Sequence, residues 1–144
     1  MVTEGTLPRD ALRQLEQRLT AAGCPDADFD AAELLRLVLG VDVRLAFAPL
    51  TAEQAARLEK LTARRADREP LQYLCGSWPF LDFELAVGPG VLCPRADTEV
   101  VAETAAGLLK EAPHPKVLDL CAGTGCLGLG VKRFCPDAAV TSLE

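Results

Sequence analysis

The chain has 144 residues, of which 49% are hydrophobic and 25% charged, with a formal net charge of −6 at pH 7. That balance suits a protein with a buried core and argues against wholesale disorder, and the negative charge argues against binding nucleic acid through the phosphate backbone. No apolar run approaches the ~20 residues needed to span a membrane, and Met1-Val-Thr-Glu-Gly5 lacks the basic and apolar blocks of a signal peptide, so the expected location is the cytoplasm.

In chain order, the first predicted helix runs from Pro8, suited to a first turn, to Ala22, with Leu12, Leu15 and Leu19 on one face and Gly23 just past its end. A second spans Ala27 to Leu39 and stops at Gly40; its Phe29, Leu35, Val38 and Leu39 are expected to face the same core. A short helical turn near Val43 to Phe47 leads to Thr51-Ala-Glu-Gln54, a capping box that starts a third long helix with Ala55, Leu58 and Leu61 inward. Arg57, Lys60 or Leu61, Arg64 and Arg68 recur at near-helical spacing on that helix and read as a solvated face, with docking of an acidic protein or RNA surface as the alternative. These elements make a helical bundle over residues 1–70.

From 71 to 96 the pattern changes to a β-hairpin linker, with Phe83, Leu85 and Val87 alternating inward and Gly88-Pro-Gly90 interrupting the run. Tyr73, Trp78 and Phe80 are expected at a packed junction. Asp97 is expected to cap a helix reaching Glu111, whose Val100, Val101, Leu108 and Leu109 cover a sheet. The six cysteines form no Cys-x-x-Cys pair and only His114 could join them, so zinc and a disulfide framework are not expected. His114 stands between two prolines and reads as a solvated loop residue. There is no internal repeat and no low-complexity tract.

The chemistry concentrates in Lys116 to Gly130. An apolar strand leads into the loop Cys121-Ala-Gly-Thr-Gly125 and then a helix, and a second strand, Ala139 to Leu143, ends in Glu144. This order is a βαβ nucleotide-binding half: glycines allow close backbone approach, the helix start offers N–H donors, and an acid on the next strand can accept ribose hydroxyls. The loop also contains the dinucleotide fingerprint Gly123-Thr-Gly125-Cys-Leu-Gly128. Asp119 tips the choice, because a carboxylate beneath the loop repels a pyrophosphate and suits a cationic cofactor such as S-adenosylmethionine. The cofactor-binding candidates are therefore Asp119, Cys121, Ala122, Gly123, Thr124, Gly125 and Glu144.

Upstream, Arg68-Glu-Pro-Leu-Gln-Tyr-Leu-Cys-Gly76 and Pro89-Gly-Val-Leu-Cys-Pro-Arg-Ala-Asp-Thr-Glu99 resemble the approach to the catalytic domain in the release-factor glutamine methyltransferases, the PrmC/HemK family. The likeness extends from about Asp30 to the last residue, and its specific part is Pro-Arg-x-Asp-Thr-Glu. The family usually has glycine where this chain has Cys121, which stiffens the first turn, and proline where it has Ala96. The resemblance implies an α/β protein: an N-terminal helical bundle for substrate recognition, the hairpin linker, and over 97–144 the start of a Rossmann-like class I methyltransferase domain. It also implies S-adenosylmethionine as cofactor and peptide-chain release factors as protein substrates, methylated on the glutamine amide of a Gly-Gly-Gln motif. Arg95, Thr98 and Glu99 then either border the active site or serve as a structural cap and turn.

Members of that family carry an Asn-Pro-Pro-Tyr motif that holds the acceptor amide, whereas these 144 residues contain no asparagine. No catalytic residue is assigned, and the chain is expected to be the front part of such an enzyme, inactive alone. Three other readings stay open: a related methyltransferase acting on adenine or another protein amine, a fragment of an NAD-dependent dehydrogenase, and a non-enzymatic module that binds a release factor.

Overall fold

Pro8 opens helix α1 (Pro8–Ala21) at a position where its missing N–H costs nothing, and α1 buries Ala11, Leu15 and Leu19. The computed structural model describes all 144 residues, and the chain divides into two units, Met1–Cys75 and Gly76–Glu144. In the first unit α1 packs on α2 (Ala27–Leu39), a 3₁₀ turn follows at Val43–Leu45, and α3 (Ala52–Ala66) packs on α2. Gly40 ends α2 in a left-handed conformation at φ 74°. The expected capping box is present: the Thr51 hydroxyl accepts the Gln54 N–H at 3.2 Å, and the Gln54 side chain accepts the Thr51 N–H at 3.0 Å. Helix α4 (Leu71–Cys75) closes the unit with Leu71 and Leu74 buried, where a hairpin alone was expected.

Two expectations for this unit need correction. Phe29 is half exposed, because the inward face of α2 runs through Ala27, Asp30, Ala31, Leu34, Leu35 and Val38. Leu12 is only partly buried, and Ala11 takes the innermost place in that turn. Asp30 tolerates its interior position because Arg65 of α3 donates to its Oδ2 at 2.8 Å. The Arg65 guanidinium also donates to the Glu69 carbonyl at 3.1 Å. The basic residues Arg57, Lys60, Arg64 and Arg68 are exposed, and Arg64 pairs with Glu69.

The second unit begins with the antiparallel hairpin β1 (Ser77–Phe80) and β2 (Phe83–Ala86), registered Ser77↔Ala86 to Phe80↔Phe83. Its turn falls at Leu81-Asp82, ahead of Gly88-Pro-Gly90, and Leu81 adopts φ 55°. Helix α5 (Ala96–Leu109) packs on α6 (Cys126–Phe134), which covers the parallel pair β3 (Lys116–Leu120) and β4 (Ala139–Leu143). Phe80, Leu85 and Ala102 form the core, and the Phe80 and Phe83 rings meet edge to face with centroids 5.8 Å apart. Phe80 therefore belongs to the interior of its own unit.

Helix α5 differs from expectation at both its start and its buried face. Arg95, not Asp97, occupies the cap position, and no side chain caps it. Val100, Val101 and Leu108 are exposed at 61%, 54% and 82%, while Ala102 and Ala106 are buried. The cause is close helix approach: a Cβ added to Gly130 of α6 would lie 2.8 Å from the Ala102 Cβ and 3.1 Å from Leu81 Cδ1. Small residues permit that crossing, and branched ones would prevent it.

Candidate functional site

Strand β3 pairs with β4 from Lys116↔Ala139 to Leu120↔Leu143, so both strands deliver their carboxyl ends to the same edge. That edge is where open α/β sheets bind ligands. The connecting loop turns sharply, with φ 56° at Cys121, 55° at Gly123 and 74° at Gly125. For Gly123 and Gly125 this region is freely accessible, whereas Cys121 adopts it against the usual steric cost. Gly125 is also the cap residue of α6, and its N–H donates to the Ala122 carbonyl at 2.7 Å.

The seven cofactor candidates do gather in one place. Cys121, Gly123 and Glu144 are exposed, Ala122, Thr124 and Gly125 partly buried, and Asp119 buried at 7%. Ala122 N–H donates to the Leu143 carbonyl at 3.0 Å, and Gly123 N–H donates to Glu144 Oε2 at 2.5 Å. The acid on the second strand thus lies at hydrogen-bond distance from the glycine loop.

Asp119 has a further job that its spacing did not announce. Its Oδ2 accepts the Gly128 N–H at 3.0 Å, satisfying a first-turn donor of α6 that Gly125, lacking a side chain, leaves open. Negative charge at a helix start is also favourable to the helix dipole. Gly128 makes the contact possible, since a Cβ there would stand 2.9 Å from Asp119 Oδ2, 3.0 Å from Val140 Cγ1 and 3.1 Å from Ser142 Oγ. The third glycine of the fingerprint is a packing glycine between α6 and the sheet.

Of the motif residues upstream, Glu99 has a definite partner. Its Oε1 accepts the Leu81 N–H at 2.7 Å, tying α5 to the hairpin turn where Leu81 is left-handed. On the other side of that turn Arg133 of α6 forms a bidentate pair with Asp82, with Nε 3.0 Å from both carboxylate oxygens. Thr98 donates its N–H to the Arg95 carbonyl and its hydroxyl, at 3.4 Å, to Asp97. Arg95 is exposed and makes no capping bond. The Asp82–Arg133 pair went unread, its two members being 51 residues apart.

All six cysteines are free thiols, and burial raises the Cys75 and Cys93 thiols above their ordinary value. No helix is long and apolar enough to cross a membrane.

The family described as PrmC N-terminal domain matches residues 10–76. A release factor glutamine methyltransferase from Bifidobacterium longum is 38% identical over 94% of this chain and 49% of its own length. The proteins of the same description from Geobacter sulfurreducens and Deinococcus radiodurans are each 39% identical, over 88% and 94% of this chain and 45% and 50% of theirs. The chain spans about half the length of the curated relatives it matches. The likeness therefore reaches further toward the N-terminus than the motifs that carry it: residues 10–76 match the PrmC N-terminal domain, and 88–94% of the chain is similar to part of the release factor glutamine methyltransferases.

Proposed function

We propose that this chain forms the substrate-recognition bundle, over 1–70, and the cofactor-binding front, over 97–144, of a cytoplasmic S-adenosylmethionine-dependent methyltransferase. Its acceptor is the glutamine side-chain amide in the Gly-Gly-Gln motif of peptide-chain release factors. The observation that carries this reading is the glycine loop at the carboxyl ends of two parallel strands with Glu144 beside it, in a chain whose relatives bear that activity in their names.

The residues fit the cofactor. Glu144 offers a carboxylate for ribose hydroxyls, and the exposed Gly123 and partly buried Gly125 let a nucleoside approach the backbone. Asp119 sets a buried negative charge beneath the loop, which suits a sulfonium and opposes a pyrophosphate. When bound, S-adenosylmethionine supplies the electrophilic methyl group. An amide nitrogen is a weak nucleophile, so the protein's part is orientation and exclusion of water. Acceptor groups of the Asn-Pro-Pro-Tyr kind are not among these 144 residues, so the chain alone is expected to bind cofactor without transferring methyl.

Calorimetric titration of the chain with S-adenosylhomocysteine, beside a Gly125→Asp control, tests the reading. Saturable heat in the parent chain and none in the control is the expected outcome. Heat from NAD and none from S-adenosylhomocysteine would replace this reading with the dehydrogenase one.

A further inference from the structure

The regular ladder between β3 and β4 ends at Leu120↔Leu143, because Cys121 turns away at φ 56°. Two N–H bonds nevertheless continue across the same gap. Ala122 uses the Leu143 carbonyl, and the next amide, Gly123, uses the Glu144 side chain. A carboxylate thus accepts the amide that follows the last backbone bond between the two segments, and a charged acceptor makes that bond stronger than a neutral one. Nothing else anchors Gly123. Apart from its own chain neighbours, no heavy atom lies within 4 Å of where its Cβ would be, and it has the wide conformational freedom of glycine.

We infer that Glu144 is a positioning residue for the glycine loop in addition to its ligand-binding role, holding Gly123 in place through its amide before any ligand arrives. The ligand-binding half rests on the function proposed above; the positioning half does not. With Oε2 on Gly123, the loop and the acid form one preorganised unit, so removing the acid should loosen the loop as well as remove a ligand contact.

Three forms of the chain separate the two roles: the parent, Glu144→Gln and Glu144→Ala. Glutamine keeps a side-chain oxygen of the same reach and loses the charge, while alanine loses both. Glu144 is exposed, so each form should fold. Amide exchange at Gly123, read by NMR without ligand, is expected to be slowest in the parent, intermediate in Glu144→Gln, which keeps a neutral acceptor, and about tenfold faster than the parent in Glu144→Ala. Affinity for S-adenosylhomocysteine should fall in both variants, by roughly tenfold or more in Glu144→Ala and less in Glu144→Gln. An unchanged Gly123 rate in Glu144→Ala overturns the positioning role whether or not ligand binds. Conversely, a faster rate in Glu144→Ala with no ligand binding in the parent upholds it while removing the cofactor reading.

Discussion

The two units of this chain are built on different physical principles. In Met1–Cys75 the interior is made of large side chains, with Leu15, Leu19, Leu34, Leu35 and Leu58 wholly buried, each stabilising the bundle by about 1.5–3 kcal/mol. In Gly76–Glu144 the interior is thin. Elements meet through Gly128, Gly130, Ala102 and Ala106, while Val100, Val101, Leu108, Leu118, Leu120, Leu129 and Leu143 stay between 49% and 82% exposed. The first unit thus draws its stability from many buried leucines, whereas the second adds close backbone approach to a smaller core of Phe80, Leu85, Val87 and Val131. One consequence is that like interactions should have unlike values in the two.

Ion pairs give the largest contrast. Asp30 and Arg65 in the first unit have side chains only 5% and 13% exposed, whereas Asp82 and Arg133 in the second are 55% and 58% exposed. Arg65→Ala strands a buried carboxylate and is expected to cost about 3–5 kcal/mol. Arg133→Ala releases an already hydrated one and should lower the unfolding midpoint only slightly. Urea denaturation followed by far-ultraviolet circular dichroism measures both, and comparable losses in the two variants would break the comparison.

The same contrast explains what could be read from the chain unaided. Helix limits were legible because their signals are local: Pro8 at a start, Gly40 at a stop, and Thr51 with Gln54 three residues on. The candidate loop was legible for the same reason, since strand, glycines and acid follow one another within one βαβ run. Phe29 was misplaced because an interior position on α2 is held by Asp30, whose partner lies 35 residues away. Val100, Val101 and Leu108 were misplaced because apolar character says nothing about Gly130 on another helix, against which α5 sets the small Ala102. Glu99 was left open between two roles, and its bond to Leu81, 18 residues back, is a tertiary fact. Only Gly128 carried a usable signal that went unused, as the third glycine of a fingerprint in which that position serves helix–strand packing.

Glycine substitutions in the second unit sharpen the comparison at intermediate size. Gly130→Ala forces a methyl to within 2.8 Å of the Ala102 Cβ and is expected to cost about 1–3 kcal/mol, as overpacked interiors do. Gly107 of α5 has nothing within 4 Å of the corresponding position, so Gly107→Ala should stabilise by about 0.5–1 kcal/mol through helix propensity. Thermal unfolding of both variants should show midpoints moving in opposite directions. If both moved down alike, close approach at Gly130 would not be the principle on which this unit is built.

The smallest effect concerns acid. Partial burial pushes the Glu59 carboxyl up, but the Val2 N–H at 2.7 Å and the Arg18 guanidinium at 2.5 Å outweigh it and hold the group below its ordinary value. In the second unit Arg133 likewise holds the Asp82 carboxyl low. For a depressed carboxyl the unfolded chain takes up the proton first, so the stabilisation is complete above the ordinary carboxylate range of about pH 4 and is lost as pH falls through the folded value. Glu59→Gln and Asp82→Asn should each flatten the decline in stability below about pH 4 relative to the parent chain. Salt then separates the units. At about 1 M salt the Debye length shrinks to roughly 3 Å, so the effect of Asp82→Asn should vanish. That of Glu59→Gln should persist, because the Glu59 side chain is only 21% exposed and one of its partners is a backbone amide. Acid titrations of stability at low and high salt measure the difference, and equal salt sensitivity in the two variants would mean that the burial contrast between the units does not extend to their charges.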